Sequence, residues 1–135
     1  MNSEQKQAWL AVIMGIISLI CFLVALPFVG PMIATAAFGL FGLAGLGPLI
    51  FRKTPTDERD RSIAKRANLA GATTSYGVFL LGNMSVWFVA KRNHQEQVNI
   101  DLLMLVVFLG IFALFFVRSV VLLVLYARHS GNEEA

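Results

Sequence analysis

The chain has 135 residues, of which 57% are hydrophobic and only 14% are charged, and its formal net charge is +3. Soluble domains carry about 25% charged residues, and so short a chain has too much surface for its volume to bury this many apolar side chains by itself. The composition predicts one all-α membrane domain, residues 1–135. The cations flank apolar runs instead of alternating with aromatic residues, so we do not expect nucleic-acid binding.

The first half of the sequence predicts two membrane spans. From Trp9 to Phe51 there is no charged residue. One helix of that length would measure about 65 Å, roughly twice the thickness of the hydrocarbon core of a bilayer. The chain must therefore reverse, and we expect this between Pro27 and Pro31, around Gly30. The spans are predicted over residues 9–29 and 33–50. The apolar run of the first span is longer than the ~7–15 apolar residues of a signal peptide, so we expect it to be a membrane span.

The second half predicts two further spans. Residues 52–66 are the longest charged stretch and indicate a hinge between two helical hairpins. Thr54 and Pro55 are typical of a helix start. We expect this helix to continue without interruption into a third span, residues 67–90, and the fourth span to cover residues 102–126.

The positive charges predict the orientation. The amino end, the hinge and the carboxyl end carry eight of the eleven lysines and arginines, and the loop between the last two spans carries two. Cytoplasmic loops of membrane proteins are enriched in these residues. Both termini and the hinge are therefore expected in the cytosol.

Small residues recur at helical spacing in three spans, and such residues let membrane helices approach closely. We expect spans one to three to pack through them, while the phenylalanine-rich fourth span faces lipid or a partner protein. The three stripes are Ala11, Gly15, Ser18 and Ala25; Thr35, Gly39, Gly42 and Gly45; and Ala70, Thr74 and Gly77.

Arg118 is the one charged residue inside a predicted span, about 12 Å from the cytosolic end at Tyr126. An intramembrane arginine costs at least ~2.5 kcal/mol, so a functional role is the default hypothesis. No acidic residue lies within a span, so an ion pair there would require another protein. Two interpretations stay open: Arg118 reaches the headgroups or hydroxyls such as those of Thr74 and Ser75, or it binds an anionic ligand or a partner.

No pattern indicates a catalytic, cofactor or metal site, and we predict none. Cys21 is the single cysteine, which excludes an intramolecular disulfide. His94 and His129 lie outside the predicted spans, which disfavours a transmembrane haem. A membrane enzyme would need its catalytic group among the acids of the hinge, Asp57, Glu58 and Asp60.

The hinge itself has two interpretations. Asp57 and Arg61 are four residues apart and can pair on one helical face, as in a solvated helix that lies over anionic headgroups. Alternatively, the hinge is a cytosolic docking surface for another protein, formed by Asp57, Glu58, Arg59, Asp60, Arg61 and Arg66.

The hinge also carries a family resemblance. The residues Asp57-Glu58-Arg59-Asp60, Ile63, Arg66-Ala67 and Ala70 fit the pattern D-E-R-D-x-x-I-x-x-R-A-x-x-A. This quarter of the chain thereby resembles a segment of a group of small bacterial inner-membrane proteins, in which it precedes a span and lies between two helical hairpins. The resemblance implies a multi-pass, four-span protein of the bacterial inner membrane, and it implies no particular activity.

The leading functional hypothesis is a non-enzymatic structural or accessory membrane subunit that acts through helix packing. Its partners would be membrane lipids and either further copies of itself, as a homo-oligomer, or a larger membrane complex. The alternative is a small transporter or channel for an anionic or amphiphilic solute, with Arg118 as the binding charge.

Overall fold

The computed structural model describes residues 3–51, 57–94 and 97–133. Within those ranges the chain is almost entirely helical and contains no strand, which confirms the all-α prediction. In chain order the elements are α1 (Ser3–Ala34), a 3₁₀ turn (Thr35–Ala37), α2 (Phe38–Phe41), a second 3₁₀ turn (Gly42–Leu46), α3 (Gly47–Ile50), α4 (Glu58–Arg92) and α5 (Ile100–Glu133).

The first reversal of the chain is at Gly30. Its φ of 78° and ψ of 169° interrupt the helical path within α1, and glycine adopts such angles without steric cost. Pro27 is accommodated inside the helix before this break, and Pro31 follows it. The expected reversal between these two prolines is confirmed, and its cause is the glycine.

The return segment, residues 31–50, packs back along α1. The Ser18 hydroxyl donates to the Ala37 carbonyl at 2.7 Å, and the Gln7 side chain lies beside Gly47, so the two run antiparallel. The segment is not one continuous α-helix, because 3₁₀ turns alternate with short α-helices. Each glycine in a helix costs about 1 kcal/mol relative to alanine, and this segment contains Gly39, Gly42, Gly45 and Gly47.

From Glu58 onward, the hinge and the predicted third span form one helix, α4, as expected. Its 35 residues extend about 52 Å. It starts after Asp57, whose carboxylate accepts a hydrogen bond from the backbone N–H of Glu58 at 2.7 Å. The start expected at Thr54 and Pro55 lies outside the described residues, and the capping residue of the helix is Asp57.

α5 is the central helix, because it packs against α4 and also against α1 and the return segment. At one end of the bundle Leu122 lies in a buried cluster with Ala8 of α1 and Ile63 of α4. Further along, the Ser75 hydroxyl of α4 donates to the Gly110 carbonyl of α5 at 2.8 Å. These contacts run antiparallel, so the start of α1, the start of α4 and the end of α5 lie at one end of the bundle.

The expectation that the fourth span lies outside the bundle is wrong. The ring of Phe112 is 5.2 Å from that of Phe38 and 5.1 Å from that of Phe41, centroid to centroid. Phe112 also stacks on Phe116 at 5.1 Å. Aromatic pairs at such distances stabilise by about 0.5–1.5 kcal/mol beyond the burial of their area. The phenylalanines of α5 therefore join it to the return segment, although Phe115 is 44% exposed.

The small-residue stripe that joins α4 to α5 is offset by one position from the predicted one. Gly71 lies so close to the Leu114 carbonyl that a Cβ would not fit, and Ser75 bonds to α5. In the predicted stripe, Thr74 is exposed, and no heavy atom outside the local helix lies within 4 Å of a Cβ built on Gly77.

The other two stripes have different outcomes. In α1, Gly15 lies against the Phe116 ring and Ser18 is fully buried, so this stripe does pack. On the return segment Thr35 is buried, but two glycines are exposed and have no neighbour within 4 Å of a built Cβ. These are Gly39 and Gly42.

Two helical stretches, Ser3–Pro31 and Ile100–Arg128, are long and apolar enough to cross a membrane. Only 17% of the first and 22% of the second are buried inside the protein, counted over their most apolar windows. The core helix of a soluble protein is mostly buried. Here most of the apolar surface is on the outside of the bundle.

Replacement of Gly71 by alanine is expected to destabilise the bundle by about 1–3 kcal/mol, since the new methyl group overlaps the Leu114 carbonyl and the Arg118 Cβ. The measurement is thermal unfolding of the purified variant, followed by circular dichroism. Gly77→Ala is the matched control, because the same change on the same helix meets open space and gains up to about 1 kcal/mol of helix propensity. Equal melting temperatures for the two variants would contradict the assigned register.

Candidate functional site

A large cavity lies between α1, the return segment and α5. Its volume is about 470 Å³, within the range of small-molecule sites. Its lining residues are Glu4, Gln7, Ala8 and Ala11 from α1; Phe38, Phe41, Gly42 and Ala44 from the return segment; and Phe108, Ile111, Phe112, Phe115, Arg118, Ser119 and Leu122 from α5.

The cavity exists because small side chains face large ones across it. The α1 wall has alanines at positions 8 and 11, spaced for one helical face, and the return segment adds Gly42 and Ala44. The aromatic rings of Phe41 and Phe112, whose centroids are 5.1 Å apart, form part of the remaining walls. Most of the lining is therefore apolar and aromatic, as in sites that bury the hydrophobic part of a ligand.

The polar lining residues of the cavity come from two helices. Glu4 and Gln7 are in the first turns of α1, and Arg118 and Ser119 are near the middle of α5. The Ser119 hydroxyl already donates to the Phe115 carbonyl at 2.8 Å, so its proton is used within the helix. Ala8 packs with Leu122 and Gly15 lies against Phe116, so Arg118 is level with a position between Ala8 and Gly15, and Glu4 lies nearer the bundle end that holds the start of α1.

Two atoms of opposite charge are buried here without partners. Oε2 of Glu4 and Nε of Arg118 are inaccessible to solvent, and neither has a hydrogen-bond partner among the described residues. A buried polar atom without a partner costs about 1–3 kcal/mol, and more when its group is charged. Glu4 and Arg118 both line the cavity, but these two atoms have no accessible surface, so the two side chains line the cavity through their other atoms.

The predicted hydroxyl partners of Arg118 are not its neighbours in the cavity. Ser75 donates to the Gly110 carbonyl at the interface of α4 and α5, and Thr74 is exposed. The α4 residue beside Arg118 is Gly71, where a built Cβ would lie 3.1 Å from the Arg118 Cβ.

Glu4 is the residue that sequence reasoning missed. It precedes the predicted first span, and only an acid within a span was expected to pair with Arg118. A usable signal was present, because the predicted topology already placed the amino end and the end of the fourth span on one side. An acid a few residues before the first span then lies level with α5 residues that precede its end.

The hinge residues serve different roles. Asp57 caps α4, and Asp60 accepts a hydrogen bond from the Tyr126 hydroxyl at 2.5 Å. The hydrogen bond between Tyr126 and Asp60 joins the hinge to α5. The remaining members of the predicted docking surface are exposed: Glu58, Arg59, Arg61 and Arg66.

A second, smaller pocket lies beside the hinge. It has a volume of about 130 Å³ and is lined by Arg59, Ser62, Ile63 and Arg66 of α4 with Leu125 of α5. Two arginines over an apolar floor suit the headgroup level of a bilayer. Among residues 3–51, 57–94 and 97–133, no group of three histidine, cysteine or acidic side chains is placed to hold a metal ion.

No protein-family model, curated protein or solved structure matches the chain in the comparisons made. The resemblance to bacterial inner-membrane proteins at residues 57–70 stays a prediction.

Proposed function

We propose that the protein is a multi-pass membrane protein with four crossing segments: α1, the return segment, α4 and α5. The exposed apolar surface of α1 and α5 supports this proposal, since a bilayer removes it from water. At the rises of α- and 3₁₀-helices, residues 31–50 extend about 30–40 Å, which matches a hydrocarbon core of about 30 Å.

The bundle end that holds the start of α1, the start of α4 and the end of α5 is proposed to face the cytosol. Most lysines and arginines of the sequence belong to that end. The resemblance at residues 57–70 supports the inner membrane of a bacterium as the location.

Single-cysteine variants test this orientation in a Cys21→Ala background. Ser62 and Asn93 are both exposed and belong to opposite ends of α4. A membrane-impermeant maleimide is expected to label Asn93→Cys on intact cells and to label Ser62→Cys only after permeabilisation. Labelling of Ser62→Cys on intact cells would overturn the orientation.

The function that the geometry favours best is the non-catalytic binding of an amphiphilic molecule in the large cavity. The observation that carries this proposal is that Arg118 lines a cavity with mostly apolar walls. A ligand with a polar head and an apolar body satisfies both features at once. Transport of that molecule across the membrane is the extended form of this function, and binding is its first step.

We propose no enzymatic step. Of the hinge acids considered for catalysis, Asp57 caps a helix and Asp60 accepts the Tyr126 hydroxyl. Both carboxylates therefore have structural partners.

Arg118→Gln is expected to lower ligand retention by about 10–100-fold, because a hydrogen bond to a charged group contributes about 1.5–3 kcal/mol. The measurement is native mass spectrometry of protein released from nanodiscs made with lipids of its own membrane. Flux of the retained molecule into proteoliposomes should fall in parallel.

Arg128→Gln is the matched control, since Arg128 is an exposed arginine on the same helix and does not line the cavity. It should retain the ligand as the wild type does. Equal retention by Arg118→Gln, with an unchanged melting temperature, would remove the binding proposal.

A second candidate function is the accessory subunit, and the outer face of α4 favours it. Thr73, Thr74 and Tyr76 are exposed there, within the proposed span. The Thr73 hydroxyl is satisfied by the Leu69 carbonyl at 2.9 Å, but Tyr76 is 66% exposed. Polar side chains within membranes face other helices far more often than lipid. We propose that a second copy of this chain or another membrane protein covers this face.

Cysteine crosslinking in native membranes tests the assembly. With Cys21 replaced by alanine, Tyr76→Cys is expected to form an oxidised adduct at twice the monomer mass, or at a larger mass with a different subunit. Ile20→Cys is the control: it is 55% exposed, it lies at a similar level of the bundle, and it is on α1. Equal yields for both variants would indicate random collision and count against a specific interface.

A further inference from the structure

The large cavity carries two opposite charges, which restricts its ligand further than Arg118 alone does. Among the described residues that line it, Glu4 and Arg118 are the ionisable ones, and their formal charges cancel. The other polar side chains of the lining are those of Gln7 and Ser119. The site expected from the sequence contained Arg118 and not Glu4, and Arg118 alone indicated an anionic or amphiphilic ligand.

A ligand with only an anionic head suits half of this site. It would pair with Arg118, but it would bring a second negative charge into a cavity that Glu4 also lines. Buried charges without partners are strongly unfavourable. A ligand with only a cationic head would pair with Glu4, but it would bring a second positive charge into a cavity that Arg118 also lines.

We propose that the cavity binds a zwitterionic amphiphile with a phosphate or carboxylate on Arg118 and a primary ammonium on Glu4. This inference rests on the proposed function and specifies the ligand of the same cavity. The ammonium must carry N–H groups, because a carboxylate such as that of Glu4 accepts hydrogen bonds and a quaternary ammonium donates none. The molecule is overall neutral, which matches the cancelling charges of the site.

The placement of the apolar walls indicates where the body of the ligand lies. The polar lining residues come from the first turns of α1 and the middle of α5, and the aromatic wall extends from Phe112 to Phe108. Phe108 is ten positions before Arg118, which is about 15 Å along a helix. A chain of about ten to twelve carbons therefore fits beside α5 while its head lies between Glu4 and Arg118.

The experiment compares four probes with the full-length protein in detergent micelles. Three are single-chain lipids with the same twelve-carbon chain: a lysophosphoethanolamine, a lysophosphocholine and a lysophosphatidic acid. The fourth is free phosphoethanolamine, which has the same head and no chain. Binding is measured by competition against the fluorescence of a lipid probe, and by native mass spectrometry.

The lysophosphoethanolamine is expected to bind at least about tenfold more tightly than either other lipid. Free phosphoethanolamine should bind far more weakly, because it fills none of the apolar wall. In Glu4→Gln the preference for ethanolamine over phosphatidic acid should disappear, whereas Glu58→Gln, an exposed acid outside the cavity, should keep it.

Equal affinity for the three lipids, or tighter binding of lysophosphatidic acid, would overturn the zwitterion while leaving amphiphile binding intact. Equal affinity for free phosphoethanolamine and its lipid would overturn the amphiphilic part. Failure of all four probes to bind would contradict the proposed function itself. The comparison of the four probes on the wild-type protein distinguishes these results even if Glu4→Gln fails to fold.

Discussion

The close approach of α4 and α5 at Gly71 is the contact on which the rest of the structure depends. No side chain separates the two backbones there, so the Leu114 carbonyl and the Arg118 Cβ lie directly against the glycine. One helical turn further along α4, the Ser75 hydroxyl bonds to the Gly110 carbonyl and fixes the same register. Close approach through small residues, together with a hydrogen bond between helices, is how helices associate where hydrophobic burial gives little drive. With α4 occupying that side of α5, the Arg118 side chain contributes to the cavity on the side of α1.

The aromatic residues of α5 complete the site from that starting point. Phe112 contacts Phe38 and Phe41 of the return segment and stacks on Phe116, which in turn lies against Gly15 of α1. These rings are rigid and cannot collapse into the space left by Ala8 and Ala11. A gap therefore persists beside α1 and α5, and Glu4 of the first turn of α1 lines it. The same residues that hold the helices together thus also keep the cavity from closing.

The sequence was sufficient for the elements and insufficient for their contacts. The reversal at Gly30, the unbroken helix α4 and the shared end of both termini follow from the positions of proline, glycine and charged residues in the sequence. These residues act on the backbone near them. The register of α4 does not follow, because Ala70-Thr74-Gly77 and Ala67-Gly71-Ser75 are both plausible small-residue stripes one position apart. The side of α5 that faces inward is equally undetermined, since phenylalanine suits lipid and protein interiors alike. Glu4 was missed because it lies outside the apolar run that defines a span.

Arg118 and Glu4 together explain more than either does alone. An arginine two turns inside a span can extend to the headgroups and need no partner, and a glutamate in the first turn of a helix is favoured by the helix dipole. Neither account predicts that both residues would line one cavity, each with one buried atom that has no partner among the described residues. An acidic and a basic residue on one cavity with aromatic walls suit a molecule that has both charges and an apolar chain.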